Sequence, residues 1–167
     1  MSRWPGKYVI GLTGNIATGK SVVRKMLEHL GGYGIDADAL AHRAMAKSAP
    51  GYPLILGTFG TWILDEEEQI DRTRLAKVVF SNPEALKQLE AIVHPLVEHA
   101  VDLLIRRAKQ TVVIIEAIKL LETHLAAGCD SIWVVNSTET LQISRLMHKR
   151  ELSETAAKQR VATQPPQ

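Results

Sequence analysis

Residues 14–21 read Gly-Asn-Ile-Ala-Thr-Gly-Lys-Ser, the spacing G-x-x-x-x-G-K-[ST], and this octad restricts the fold more than anything else in the 167-residue chain. Its context gives it force. Directly before it, Tyr8-Val-Ile-Gly-Leu-Thr13 is a short, nearly continuous apolar run of β-formers, the pattern of a buried strand in a parallel sheet. Directly after it, from Ser21, the period becomes helical, with Val22, Val23, Met26, Leu27 and Leu30 on one side and Arg24, Lys25 and Glu28 on the other, until Gly31-Gly32 ends it.

A loop of this spacing between strand and helix turns several N–H groups inward at a helix N-terminus and wraps a phosphate. Gly14, Asn15, Ile16, Ala17, Thr18 and Gly19 supply that backbone. Lys20 can set its ammonium between the β- and γ-phosphates of a bound nucleotide, and the Ser21 hydroxyl can ligate the Mg²⁺ that bridges them. The competing reading is a plain glycine-rich turn.

Tyr33-Gly-Ile-Asp36 is a brief second strand, and residues 37–46 form an alanine-rich helix that Pro50-Gly51 ends. Between Pro50 and Lys109 the periodicity predicts helices only, over 52–59, 72–80 and 83–107, with Asp71 and Ser81 or Asn82 as N-caps and Pro83 in a first turn. Strands three and four are 111–115 and 131–135, and two basic helices follow over 138–150 and 153–162. The class is α/β, with a helical insertion of about 60 residues between strands two and three.

Composition narrows the function. Lys and Arg total 20 against 18 for Asp and Glu, a net charge of only +2, and the aromatics are scattered, so neither duplex nor single-strand binding is expected. A single cysteine, Cys129, forms no intramolecular disulfide, and the N-terminal residues carry no apolar leader; a cytoplasmic protein with no membrane span is expected. The histidines at 29, 42, 94, 99, 124 and 148 form no H-E-x-x-H pair, which gives no sign of a zinc site.

Asp36 and Asp38 stand at the end of strand two, the edge of a parallel sheet where open α/β folds bind ligands. Either can accept the proton of an attacking hydroxyl, or simply cap the next helix. Arg145, Lys149, Arg150 and Arg160 lie on the last helices, where arginines can neutralise transition-state charge or form a solvated basic face. Glu116 follows strand three and reads equally as an acid near the metal or as an edge-of-core carboxylate.

The chain resembles a known family, the dephospho-coenzyme A kinases, over nearly its whole length. The resemblance rests on Ile10-Gly-Leu-Thr-Gly14 entering the loop, Ile35-Asp-Ala-Asp38, Phe59-Gly60 with Ile63-Leu-Asp65, Asp71-Arg72, His94-Pro95, Gln142 with Arg145-Leu146, and the spacing of Ala156, Arg160 and Gln164. It implies one phosphate-loop NTPase-type kinase domain over 1–167: a core of 7–49 and 110–140, a helical insertion of 50–109 that binds the coenzyme, and a helical lid of 141–164. ATP is the implied donor, with Mg²⁺, and the ribose 3′-hydroxyl of dephospho-coenzyme A the implied acceptor. Asp38 takes the position of the base. Lys20 and Arg145 assist transfer, Arg145 and Arg150 bind ATP, and Asp36, His94, Pro95 and Arg160 join Asp38 around the acceptor. Another small phosphate-loop kinase, or a nucleotide binder without turnover, is the alternative.

The sequence departs from the family in three places. The loop reads Gly-Asn-Ile-Ala-Thr-Gly where the family more often has Gly-Gly-Ile-Gly-Ser-Gly, and Glu116-Ala-Ile-Lys-Leu-Leu121 stands where it usually has an Asp, Pro, Leu, Leu stretch, so no role passes to Glu116 by resemblance. Family members also continue past the Gln-Pro-Pro region with a last strand and helix. The expectation is therefore a four-stranded parallel sheet of order 2-3-1-4 with an exposed edge beside strand four, and reduced ATP affinity.

Overall fold

The computed structural model describes residues 3–164; the Pro165-Pro166 stretch that ends the sequence pattern lies outside the described residues. Its sheet has four parallel strands, β1 (Tyr8–Thr13), β2 (Tyr33–Asp36), β3 (Val112–Glu116) and β4 (Ser131–Val134), in the order β2-β3-β1-β4. That is the expected order. All the pairings are parallel because each strand returns to the sheet through a helical crossover.

The chain divides into two compact units, one of residues 1–36 and 105–167 and one of residues 37–104. The first holds the sheet. Val9, Leu12, Val113, Ile114 and Ile115 are fully buried, as strands covered on both faces require. Helix α1 (Lys20–His29) covers Ile10, Leu12 and Ile114 with Val23 and Leu27. The broad apolar face expected of α1 is only half used: Val22, Met26 and Leu30 are exposed. A helix laid on a sheet covers about a third of its circumference, so the sequence stripe was wider than the contact.

β4 is an edge strand, and Ile132, Trp133 and Val134 are exposed along it. It leads into α7 (Glu139–Arg150) and α8 (Glu154–Ala162), which pack on one another, with Leu146 and Ala157 buried. Ser153 caps α8 by accepting the Ala156 N–H at 3.3 Å. A four-residue helix, α6 (Leu125–Gly128), precedes β4 and has no signal in the sequence period.

The second unit is helical: α2 (Ala37–Ala44), α3 (Gly51–Phe59), α4 (Arg72–Ser81) and most of α5 (Pro83–Arg107). Its buried side chains include Ile55, Ile63, Leu75, Val79, Val93, Val97 and Val101. Asp71 caps α4 by accepting from the N–H groups of Thr73 at 2.8 Å and Arg74 at 3.2 Å, and Asn82, rather than Ser81, caps α5 through Glu84 and Ala85. Such caps contribute about 1 kcal/mol each. Leu64 and Ile70 form an isolated antiparallel bridge around the Glu66-Glu67-Glu68 turn. Among the described residues no helix is long and apolar enough to cross a membrane.

Candidate active site

The loop leaves β1 at Thr13 and enters α1 at Lys20, with Gly14 and Gly19 as its pivots. Gly14 has φ 142°, and a Cβ there would lie 2.2 Å from the Val135 carbonyl oxygen. No other residue fits that position. Gly19, at φ 111°, starts α1 by accepting from the N–H groups of Val22 at 2.9 Å and Val23 at 3.2 Å, and provides no side chain to cap the first turn. Ala17 also sits in the left-handed region, at φ 58°, a conformation that costs a non-glycine residue about 1 kcal/mol.

Side chains converge on this loop from three directions. The Lys20 ammonium is buried and donates to the carbonyls of Gly14 at 2.7 Å and Asn15 at 2.9 Å. The Thr18 hydroxyl donates to the same Asn15 carbonyl at 2.9 Å. From α7, Arg145 Nη1 donates to the carbonyls of Ala17 at 2.9 Å and Thr18 at 2.8 Å. From beyond α8, Gln164 Oε1 accepts the Ile16 N–H at 2.6 Å.

Glu116 also lies beside this loop, bonded to Ser21 and Arg24. Parallel pairing of β1 with β3 sets Glu116 opposite Leu12, so the carboxylate stands where β1 turns into the loop. It is buried, accepts the Ser21 hydroxyl at 2.7 Å on Oε1 and accepts Arg24 Nε at 2.7 Å on Oε2. Arg24 also reaches Glu28 at 2.6 Å. Burial works against the Arg24 cation, but Glu116 and Glu28 outweigh it and raise the guanidinium pKa above its ordinary value. Ser21 and Glu116 together offer neighbouring hard oxygen donors, a set that suits Mg²⁺ shared with substrate phosphates.

The other candidate residues are distributed as follows. Asp36 ends β2 in register with Glu116, half-buried. In the second unit, Asp38 occupies the first turn of α2, and one turn on His42 Nε2 lies 2.8 Å from Arg72 Nη2; arginine only donates, so that nitrogen is an acceptor. His94 and Pro95 lie inside α5, where Pro95 has no N–H to give the Ala91 carbonyl and is exposed. Arg160 is exposed in the last turn of α8. Arg150 closes α7, and its side chain lies outside the described residues.

A strand, a pivoting glycine loop, a buried lysine and a serine on a strand-end carboxylate form the frame of a phosphate-loop nucleotide site, and the comparisons with known proteins specify the family. A family model described as dephospho-CoA kinase matches residues 8–167. The chain belongs to the dephospho-CoA kinase family. A family member from Geobacter metallireducens is 41% identical over 161 residues, covering 95% of this chain and 80% of that protein. One from Staphylococcus haemolyticus is 38% identical over 162 residues, covering 93% and 78%. Among solved structures, a Thermus thermophilus protein superposes with a TM-score of 0.82 at 31% identity, covering 96% of this chain and 81% of that one. Dephospho-CoA kinase from Campylobacter jejuni gives 0.56 at 27% identity, covering 94% and 79%.

Two members of this site had little or no signal in the sequence. Arg24 read only as the polar face of α1, and Gln164 entered only through its spacing from Arg160. Both act over long sequence separations, Arg24 on a residue 92 positions away and Gln164 on one 148 away.

Proposed function

We propose that this chain transfers the γ-phosphoryl group of ATP to the ribose 3′-hydroxyl of dephospho-coenzyme A, in the cytoplasm. The observation that carries the reading is the phosphate loop with Lys20, Ser21 and Arg145 gathered on it, in a chain of this family. The triphosphate lies along residues 14–21, its oxygens received by loop N–H groups at the start of α1. Lys20 moves from the Gly14 and Asn15 carbonyls to the β- and γ-phosphates, and Arg145, joined by Arg150, screens the charge that builds on the transferring group. Mg²⁺ bound with the nucleotide neutralises phosphate charge, and Ser21 with Glu116 would hold it.

Asp38 receives the proton of the 3′-hydroxyl as that oxygen bonds to the γ-phosphorus. The bond from the γ-phosphorus to the bridging oxygen breaks, and ADP leaves with the bonding pair. Asp36, His94, Pro95 and Arg160 contact the acceptor, segment 50–109 forms the acceptor-binding part of a single kinase domain with core 7–49 and 110–140, and segment 141–164 is its lid. The test is incubation with ATP, Mg²⁺ and dephospho-coenzyme A, followed by mass spectrometry for coenzyme A. Product is expected, with Asp38→Asn abolishing transfer while ATP still binds. Loss with Asp36→Asn and not Asp38→Asn reverses the assignment of the base; a folded chain that binds ATP and phosphorylates other acceptors only overturns the substrate.

A further inference from the structure

We infer that Gln164 is a positioning residue for the phosphate loop, fixing one of the two peptides on which Lys20 rests. A trans peptide points its N–H and C=O in opposite senses, and no peptide bond among the described residues is cis, so anchoring one group of a unit aims the other. The Ala17–Thr18 and Thr18–Gly19 peptides are anchored by their carbonyls, both on Arg145, which turns the N–H groups of Thr18 and Gly19 the opposite way. The Asn15–Ile16 peptide is anchored at its other end. Its N–H goes to Gln164 at 2.6 Å, and its carbonyl, aimed opposite, receives both the Lys20 ammonium at 2.9 Å and the Thr18 hydroxyl at 2.9 Å. One side-chain oxygen therefore aims one of the two carbonyls that hold the lysine ammonium, the other being that of Gly14 at 2.7 Å.

Gln164 is itself held in place. Its N–H donates to the Val161 carbonyl at 3.2 Å, and the preceding Thr163 donates through its N–H to Gln159 and through its hydroxyl to Arg160, so the amide projects from the closed last turn of α8. Whatever moves α8 moves the Asn15–Ile16 peptide with it. The inference rests on the reading of this loop as the ATP site.

The test uses the full chain with Gln164→Met, which keeps the length and removes the amide, and Gln164→Glu, which keeps an acceptor oxygen. Three readouts are taken: hydrogen exchange of the Ile16 amide by NMR, ATP affinity by calorimetry without acceptor, and separate KM values for ATP and dephospho-coenzyme A. Gln164→Met is expected to speed Ile16 exchange and weaken ATP binding about fivefold, the value of one net hydrogen bond, with the acceptor KM unchanged. Gln164→Glu restores Ile16 protection. Tighter ATP binding by Gln164→Met would mean that the amide competes with nucleotide and would overturn the inference. A lowered melting temperature with Ile16 exchange and ATP affinity unmoved would overturn it as well. Should the wild-type chain leave dephospho-coenzyme A untouched, the reaction fails, while exchange and calorimetry still decide the role of Gln164.

Discussion

The phosphate-loop end of the first unit and the helical second unit use charged side chains in opposite ways. Around the loop, Lys20 and Glu116 are buried, Arg24 is nearly so, and each ends on a loop carbonyl, a hydroxyl or a counter-charge. In the second unit, Lys47–Glu68, Arg74–Asp71 and Lys87–Glu84 are surface pairs between exposed or part-exposed side chains. Removing one partner of a buried pair strands the other in a medium that cannot solvate it, whereas removing one from a surface pair hands the other to water. Charge in the first region sets geometry; charge in the second decorates helices that their apolar side chains hold.

The most severe break in this contrast is Lys20→Ala. Turnover should fall by at least about 100-fold, the usual loss when a preorganised charge is taken from a transition state, while circular dichroism and the melting profile stay near wild type because the turn glycines remain. A variant that unfolds would instead make Lys20 a structural residue of the loop. Next in size is Glu116→Gln, which removes the buried one of the two anions of Arg24, leaving it Glu28, and replaces the acceptor of the Ser21 hydroxyl. A stability loss of about 2 kcal/mol in urea melts, with a raised Mg²⁺ requirement, is expected. Unchanged stability would place Glu116 among the ornamental pairs.

Lys47→Met sharpens the other side. Its ion pair with Glu68 spans a solvated turn, so the melt of the variant should overlie that of wild type. A clear shift would show that the turn carrying Glu68, which has φ 58°, depends on the lysine. The smallest effect concerns Cys129, whose thiol is pushed up to about 11, first by burial and then by the neighbouring Asp130 charge. A raised acid pKa means that the folded chain holds a proton which the unfolded chain gives up near its ordinary value of 9.0, so this contribution to stability is complete below pH 9 and fades as the pH climbs toward 11. Alkylation by iodoacetamide at pH 8 should accordingly be slow in the native protein and fast in urea.

What was legible in the sequence follows the range of the interactions. Strands, most helix caps and the loop are local, written in runs of adjacent residues, and the strand order came with the family resemblance. The period puts Val22, Met26 and Leu30 on the apolar side of α1, yet all three are exposed, because periodicity marks an apolar stripe and cannot say how much of it a sheet will cover. Glu116 stayed ambiguous because its role comes from a parallel register that sets it opposite Leu12 and near Ser21. Gln164 was legible only as a spacing, since nothing local tells which atom a single amide oxygen reaching across the chain will meet.

The resting contacts of Lys20 bear on the end of each catalytic cycle. A buried ammonium abandoned by a departing nucleotide would have to be rehydrated or left bare, either of which would slow the departure. Here the carbonyls of Gly14 and Asn15 take it back at 2.7 and 2.9 Å, and Arg145 has the carbonyls of Ala17 and Thr18 waiting at 2.9 and 2.8 Å. Under the proposed function, ADP would leave by an exchange of acceptors, with the empty loop already in order for the next ATP.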